Sequence, residues 1–188
     1  MIKDKLGRET SFAIASCLLA ASMLGIGATR SEAATADVDR LFQDAKEQAG
    51  VLARDTDTMR SFTHSNVSWE AHADEIERIK SHINKLGEIV YQLQTARDDS
   101  DRRHQETIDR MLPSLQELAA NTTAIIDHVN QDHLDLQNPD YQEYLKENVG
   151  LANNNLQVVS DMVAYDSAKD KIERLHSKLA KLDASQAR

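Results

Sequence analysis

From residue 38 onward, apolar residues recur at alternating steps of three and four. Val38, Leu41, Phe42, Ala45, Ala49, Leu52, Met59 and Phe62 fall on one stripe and predict a helix over 37–64. The clearest pattern follows. Trp69, Ile76, Ile83 and Val90 repeat every seven residues, and His72, Ile79, Leu86 and Leu93 form a second seam beside them. Two such seams are what coiled-coil-like packing requires, so a second helix is predicted over 69–97, with Ser68 as its N-cap.

A third helix, over 100–132, carries the seams Ile108/Leu115/Thr122/Val129 and Met111/Leu118/Ile125. The run Asp98-Asp99-Ser100-Asp101 supplies the turn and cap before it. Pro113 lies inside the pattern and predicts a kink or a restart, because proline removes one helical hydrogen bond. Asn138-Pro139-Asp140 marks the next start: a capping Asn, Pro at the first helical position, then an acid in the first turn. Leu145, Val149, Ala152, Leu156, Val159 and Val163 continue from there. The phase then slips to Ile172, Leu175, Leu179 and Leu182. Ser167-Ala168-Lys169-Asp170 has the form of a capping box, so a break at 165–168 is expected, with 167–184 as an extension or fifth helix.

Four segments of roughly 30 residues would each be about 45 Å long. Joined by short connections, they predict an all-α, antiparallel up-down-up-down four-helix bundle. The sparse punctuation agrees. Beyond residue 36 there are only Gly50, Gly87, Gly150, Pro113 and Pro139, too few for a many-stranded fold. A long dimeric coiled coil is the alternative, and the three cappable turns argue against it.

The first 36 residues do not belong to this pattern. Lys3, Lys5 and Arg8 precede an uncharged stretch, residues 12–28, and small-x-small sites follow at Ser31-Glu32-Ala33 and Ala34-Thr35-Ala36. This is the layout of a secretory signal peptide, with cleavage expected after Ala36 or, next, after Ala33. Residues 12–28 are short and diluted by small side chains for a membrane span, so contact with a membrane is expected only if the segment is retained. Ile14-Ala15-Ser16-Cys17 has the form of a lipobox, but most of the apolar run follows the cysteine instead of preceding it. The expected organisation is a signal peptide over 1–36 and a bundle over 37–188, exported to a bacterial periplasm or beyond.

The cut changes the chemistry of what remains. It removes the sole cysteine, Cys17, so no disulfide or thiolate site is possible in the mature chain. It also leaves 18 basic and 28 acidic residues, a net charge of −10. That surface repels phosphate backbones and excludes nucleic acid as an expected partner.

Two polar groups qualify as candidate sites. If the helix ends align, Asp55, His72, Thr122 and Asn148 fall at similar heights in the seams. A polar layer of this kind fixes helix register, and a buried His–Asp pair could also hold a ligand. The second group gathers at one bundle end: His64 in the first turn, with His128, Asp132 and His133 around the third. Imidazole and carboxylate together suit Zn²⁺ or a similar divalent ion. No other cofactor is predicted. Glu173-x-x-His176 and Asp101-x-x-His104 have the spacing of ferritin-like di-iron motifs, but four inward carboxylates are required and the sequence does not supply them. There is no glycine-flanked serine elbow and no Gly-rich phosphate loop.

Ser68-Trp69-Glu70-Ala71-His72-Ala73, with Ile79-Lys80-Ser81-His82-Ile83-Asn84-Lys85-Leu86-Gly87, resembles uncharacterised secreted helical-bundle proteins of soil bacteria. The resemblance implies an exported bundle and carries no activity or site. The leading expectation is a non-enzymatic bundle acting through surface contacts with a protein partner. A metal- or small-ligand-binding, or chaperone-like, periplasmic bundle is the runner-up.

Overall fold

The computed structural model describes residues 29–64, 67–131 and 135–186, with side chains described between 37 and 185. Four α-helices account for nearly all of them: α1 (Thr29–Phe62), α2 (Trp69–Thr95), α3 (Arg102–Gln131) and α4 (Pro139–Gln186). A single 3-10 turn, Arg97–Asp99, joins α2 to α3. Each helix packs on its sequence neighbours and α4 closes on α1, so α1 and α3, like α2 and α4, stand on diagonals. This is the expected up-down four-helix bundle.

The caps follow from local chemistry. Ser68 accepts the Ala71 backbone N–H at 3.5 Å, and Asn138 Oδ1 accepts those of Asp140 (2.9 Å) and Tyr141 (3.4 Å). Each bond satisfies a donor that the first turn leaves without a helical partner. Asp101 caps α3 in the same way, accepting from Arg103 N–H at 3.0 Å and His104 N–H at 3.1 Å. Arg97 in the 3-10 turn then grips Asp109 of α3 with two parallel hydrogen bonds, at 2.8 and 2.7 Å.

The heptad seams form the core. In α2, His72, Ile76, Ile79, Ile83, Leu86, Val90 and Leu93 are all buried, whereas Trp69 is only half-buried. Polar clasps run along the α3–α4 interface: Asn155 donates to Ser114 Oγ at 2.9 Å, Asn148 to Thr122 Oγ1 at 3.1 Å, and Asn121 to Glu147 at 3.1 Å. The partners step in opposite directions along the two helices, as antiparallel pairing requires, and they fix its register.

Two boundaries differ from the sequence expectation, and of the two outcomes expected at Pro113 the restart does not occur. Helix α1 begins at Thr29, not near 37, because Glu32 and the alanines that follow favour helix. A cut after Ala36 would therefore remove its first two turns and keep Val38, the first core residue. Helix α3 passes through Pro113 without restarting. That residue is exposed, so water can serve the carbonyl its ring leaves unpaired. Helix α4 is one unbroken helix of 48 residues, with no break at 165–168.

The phase slip in α4 is a change of face. From Val163 to Ile172 are nine steps of about 100°, so the second stripe lies about half a turn from the first. Beyond Val163 every side chain described up to residue 185 is exposed except that of Asp166, which is half-buried. The last third of α4 thus projects past the bundle. No described helix is long and apolar enough to cross a membrane. The expected signal peptide core, residues 12–28, and Cys17 lie outside the described residues.

Candidate functional site

The four residues proposed as metal ligands do not form a described group. Asp132 and His133 lie outside the described residues. His64 is exposed in the turn after α1. His128 is engaged elsewhere: its Nε2 donates to the Asp135 carbonyl at 2.8 Å, and its ring packs 5.1 Å from that of Tyr141. It ties the α3–α4 loop to the bundle.

The expected polar layer divides. Thr122 and Asn148 meet, as described above. His72 bonds instead to Tyr141, Nδ1 to hydroxyl at 2.7 Å, and its ring also packs against Phe62. Asp55 is half-buried on α1 and pairs with His82 Nε2 at 3.4 Å. His72 stands level with Tyr141, seven residues from Asn148 along α4, and Asp55 level with His82, ten residues from His72 along α2, so the four do not form one layer.

The titratable cluster that does converge lies at the opposite end of the bundle. His104, in the first turn of α3, is 3% exposed and its ring stacks on Phe42 of α1 at 5.1 Å. Carboxylates surround it from three elements. Asp101 Oδ1 approaches Nδ1 at 3.1 Å. On the other side of the ring, Asp166 Oδ2 of α4 lies 3.2 Å from Nε2, and Asp39 Oδ1 of α1 lies 3.6 Å from the same nitrogen. Among the described residues, Asp39, His104 and Asp166 are the one group of three or more His, Cys, Asp or Glu side chains close enough to share an ion.

Its electrostatics are uneven. Burial opposes the Asp101 carboxylate, but the backbone N–H bonds, the imidazole and Lys169 outweigh it and hold Asp101 below the usual range. Asp39 and Asp166 move the other way. Burial pushes each up, and the neighbouring carboxylates add to that despite the attraction of His104. Asp39 Oδ1 is also buried and has no hydrogen-bond partner.

The chain matches no protein-family model, no curated protein and no solved structure. Its site must therefore be read from its own residues.

The sequence held a signal for this cluster in the seams. His104 lies seven residues before Met111 and Asp166 seven after Val159, so both occupy core-facing positions of their heptads. In sequence, Asp101-x-x-His104 has only the spacing of a di-iron motif, without the four inward carboxylates that such a site requires. Asp39 and Asp166 bring two carboxylates to His104 from distant parts of the chain.

Directly beyond the cluster, the overhang of α4 presents its second apolar stripe. Ile172, Leu175, Leu179 and Leu182 are 49–58% exposed. They stand about half a turn from the face that α4 turns to the core, so the bundle's own helices lie on the wrong side to cover them.

Proposed function

We propose that this chain is an exported, non-enzymatic helical bundle that works through protein contacts, with the projecting end of α4 as the contacting element and a second copy of the chain as its partner. The observation that carries this reading is the exposed stripe of Ile172, Leu175, Leu179 and Leu182. Its spacing of three, four and three is that of alternating a and d positions, the narrow seam of a two-stranded coiled coil.

The flanking charges favour a parallel pair of copies. With Ile172 and Leu179 at a, Lys171 and Lys178 fall at g and Asp183 at e. In parallel register, Lys178 of one copy faces Asp183 of the other, whereas antiparallel register sets the g-position lysines against each other. The stripe points away from the bundle, so two bundles can stand outside the paired helices without collision. The layout of residues 1–36 supports export, and the lack of a serine elbow or a phosphate loop supports the non-enzymatic reading.

Sedimentation velocity of the purified protein tests it. A dimer at micromolar concentration, converted to monomer by Leu175→Glu with Leu179→Glu at unchanged helical content, is the expected result. A wild-type protein that stays monomeric, or a dimer indifferent to both substitutions, would refute it.

A further inference from the structure

We propose that Asp39, His104 and Asp166 form a binding site for one divalent transition-metal ion of the Zn²⁺ class, with Asp101 as the residue that orients the imidazole. The site lies where α1, the start of α3 and α4 meet, and it does not depend on how α4 contacts a partner.

Distances come first. Zn²⁺ binds nitrogen and oxygen ligands at about 2.0–2.2 Å, which places neighbouring ligand atoms about 3.3–3.6 Å apart in a tetrahedral shell. Here His104 Nε2 lies 3.2 Å from Asp166 Oδ2 and 3.6 Å from Asp39 Oδ1, and the three ligand atoms all lie within 4.8 Å of one another. Two of the three spacings are thus close to those of the shell, and the third is no longer than 4.8 Å. Three protein ligands leave a further position for water. The Asp39 side chain is 39% exposed, although its Oδ1 is buried against the ring.

Hydrogen bonding favours a cation at the same point. A neutral imidazole has one N–H and one lone pair. The nitrogen beside Asp101 has a single carboxylate partner, itself locked by two backbone N–H groups and facing Lys169 at 3.6 Å. The hydrogen bond that the ring makes to a carboxylate runs from Nε2 to Asp166 Oδ2, which leaves Asp39 Oδ1 at 3.6 Å without a partner. A cation that replaces the Nε2 proton would serve both oxygens, with the remaining ring N–H on Nδ1 facing Asp101. A carboxylate on one imidazole nitrogen and a metal on the other is the usual arrangement around histidine ligands. The outer carboxylate fixes the tautomer and ring direction.

The local charge favours a cation as well. Asp39, Asp101 and Asp166 carry three negative charges when ionised, and Asp170 adds to the field at Asp39. Lys169 is the nearby lysine. Even with His104 protonated, the cluster keeps an excess of negative charge. A divalent ion bound by neutral His104 offsets more of it than a proton does. The unpartnered Asp39 Oδ1 then gains a partner. One imidazole with two carboxylates and no thiolate suits Zn²⁺ and its first-row neighbours over soft Cu(I), and it offers too few oxygens for Ca²⁺.

Calorimetric titration of the purified, chelator-treated protein with Zn²⁺ tests the site, read together with the ¹⁵N shifts of the histidine ring nitrogens. The expected result is one ion per chain, with the His104 Nε2 resonance moving to a metal-bound position. Asp101→Asn keeps an N-cap side chain and should weaken binding about 10–100-fold, as loss of an outer partner does. Asp39→Asn, at a half-exposed position, should abolish the stoichiometric phase while helical content stays unchanged. His128→Ala should leave binding intact. Absence of Zn²⁺ binding would overturn the proposal. So would binding that survives Asp39→Asn, or that moves the resonances of His64, His82 or His128 and not those of His104.

Discussion

His72 of α2 and Tyr141 of α4 are hydrogen-bonded at 2.7 Å across the diagonal of the bundle, and both side chains are essentially sealed from solvent. Diagonal helices share little direct packing, so this bond is a specific tie between them. Breaking it from either side leaves a buried polar group alone, at a cost of about 1–3 kcal/mol. Tyr141→Phe and His72→Leu should each lower stability by an amount in that range. The double variant should lose clearly less than the two losses combined, because it leaves no orphan. Urea unfolding of the four proteins measures the coupling, and strictly additive losses would show that the bond carries no energy of its own.

The same histidine predicts a pH dependence. Burial holds His72 below the ordinary histidine value. The unfolded chain therefore takes up this proton first as the medium is acidified. The contribution of His72 to stability is fully present above about pH 6.5 and is lost as pH falls from there toward the folded value. Asp39 and Asp166, raised by burial, act in the opposite sense at lower pH, but they are common to wild type and His72→Leu and cancel in the difference. The stability gap between those two proteins should shrink on going from neutral to mildly acidic pH. A gap that stays constant would mean that His72 does not titrate differently on folding.

The elements that local chemistry specifies were legible in the sequence. Ser68 and Asn138-Pro139 mark their helix starts because each cap depends on residues three or fewer positions away. The heptad seams predicted the core, because burial on a helix follows period. The convergence of side chains from distant segments was not legible. Asp39, His104 and Asp166 come from three helices, and their meeting depends on how far each helix extends past the core. The extension of α1 back to Thr29 and of α4 on to Gln186 could not be read from residues that carry no cap. The slip at 165–168 looked like a break because a change of face and a change of helix leave the same mark on apolar spacing.

The buried amides on α4 predict a gain from simplification. Asn148 donates to Thr122, but its Oδ1 is buried without a partner, as is that of Asn155. Replacing both members of a buried polar pair with apolar groups of similar shape is close to neutral or stabilising. Thr122→Val with Asn148→Leu should therefore unfold at equal or higher urea concentration than wild type. Asn148→Ala alone should unfold lower, since it opens a cavity and strips the threonine of a donor. A large loss in the double variant would show that the clasp stabilises the bundle as well as fixing its register.

The overhang of α4 allows the two proposals to be separated in one protein. Residues past Lys171 bury nothing against the bundle, and the metal-site carboxylate Asp166 lies more than a turn before that point. A chain ending at Lys171 loses the whole stripe and keeps every residue of the His104 cluster. Its unfolding midpoint should not depend on protein concentration, whereas that of the full chain should rise with concentration because association stabilises the folded form. Extrapolated to high dilution, the two should agree to within about 0.5 kcal/mol, the scale of changes at exposed sites. Zn²⁺ should bind the shortened chain as it binds the full one. If the shortened chain instead melts far lower at high dilution, the overhang supports the bundle directly. If it stays dimeric, the contact lies elsewhere on the surface.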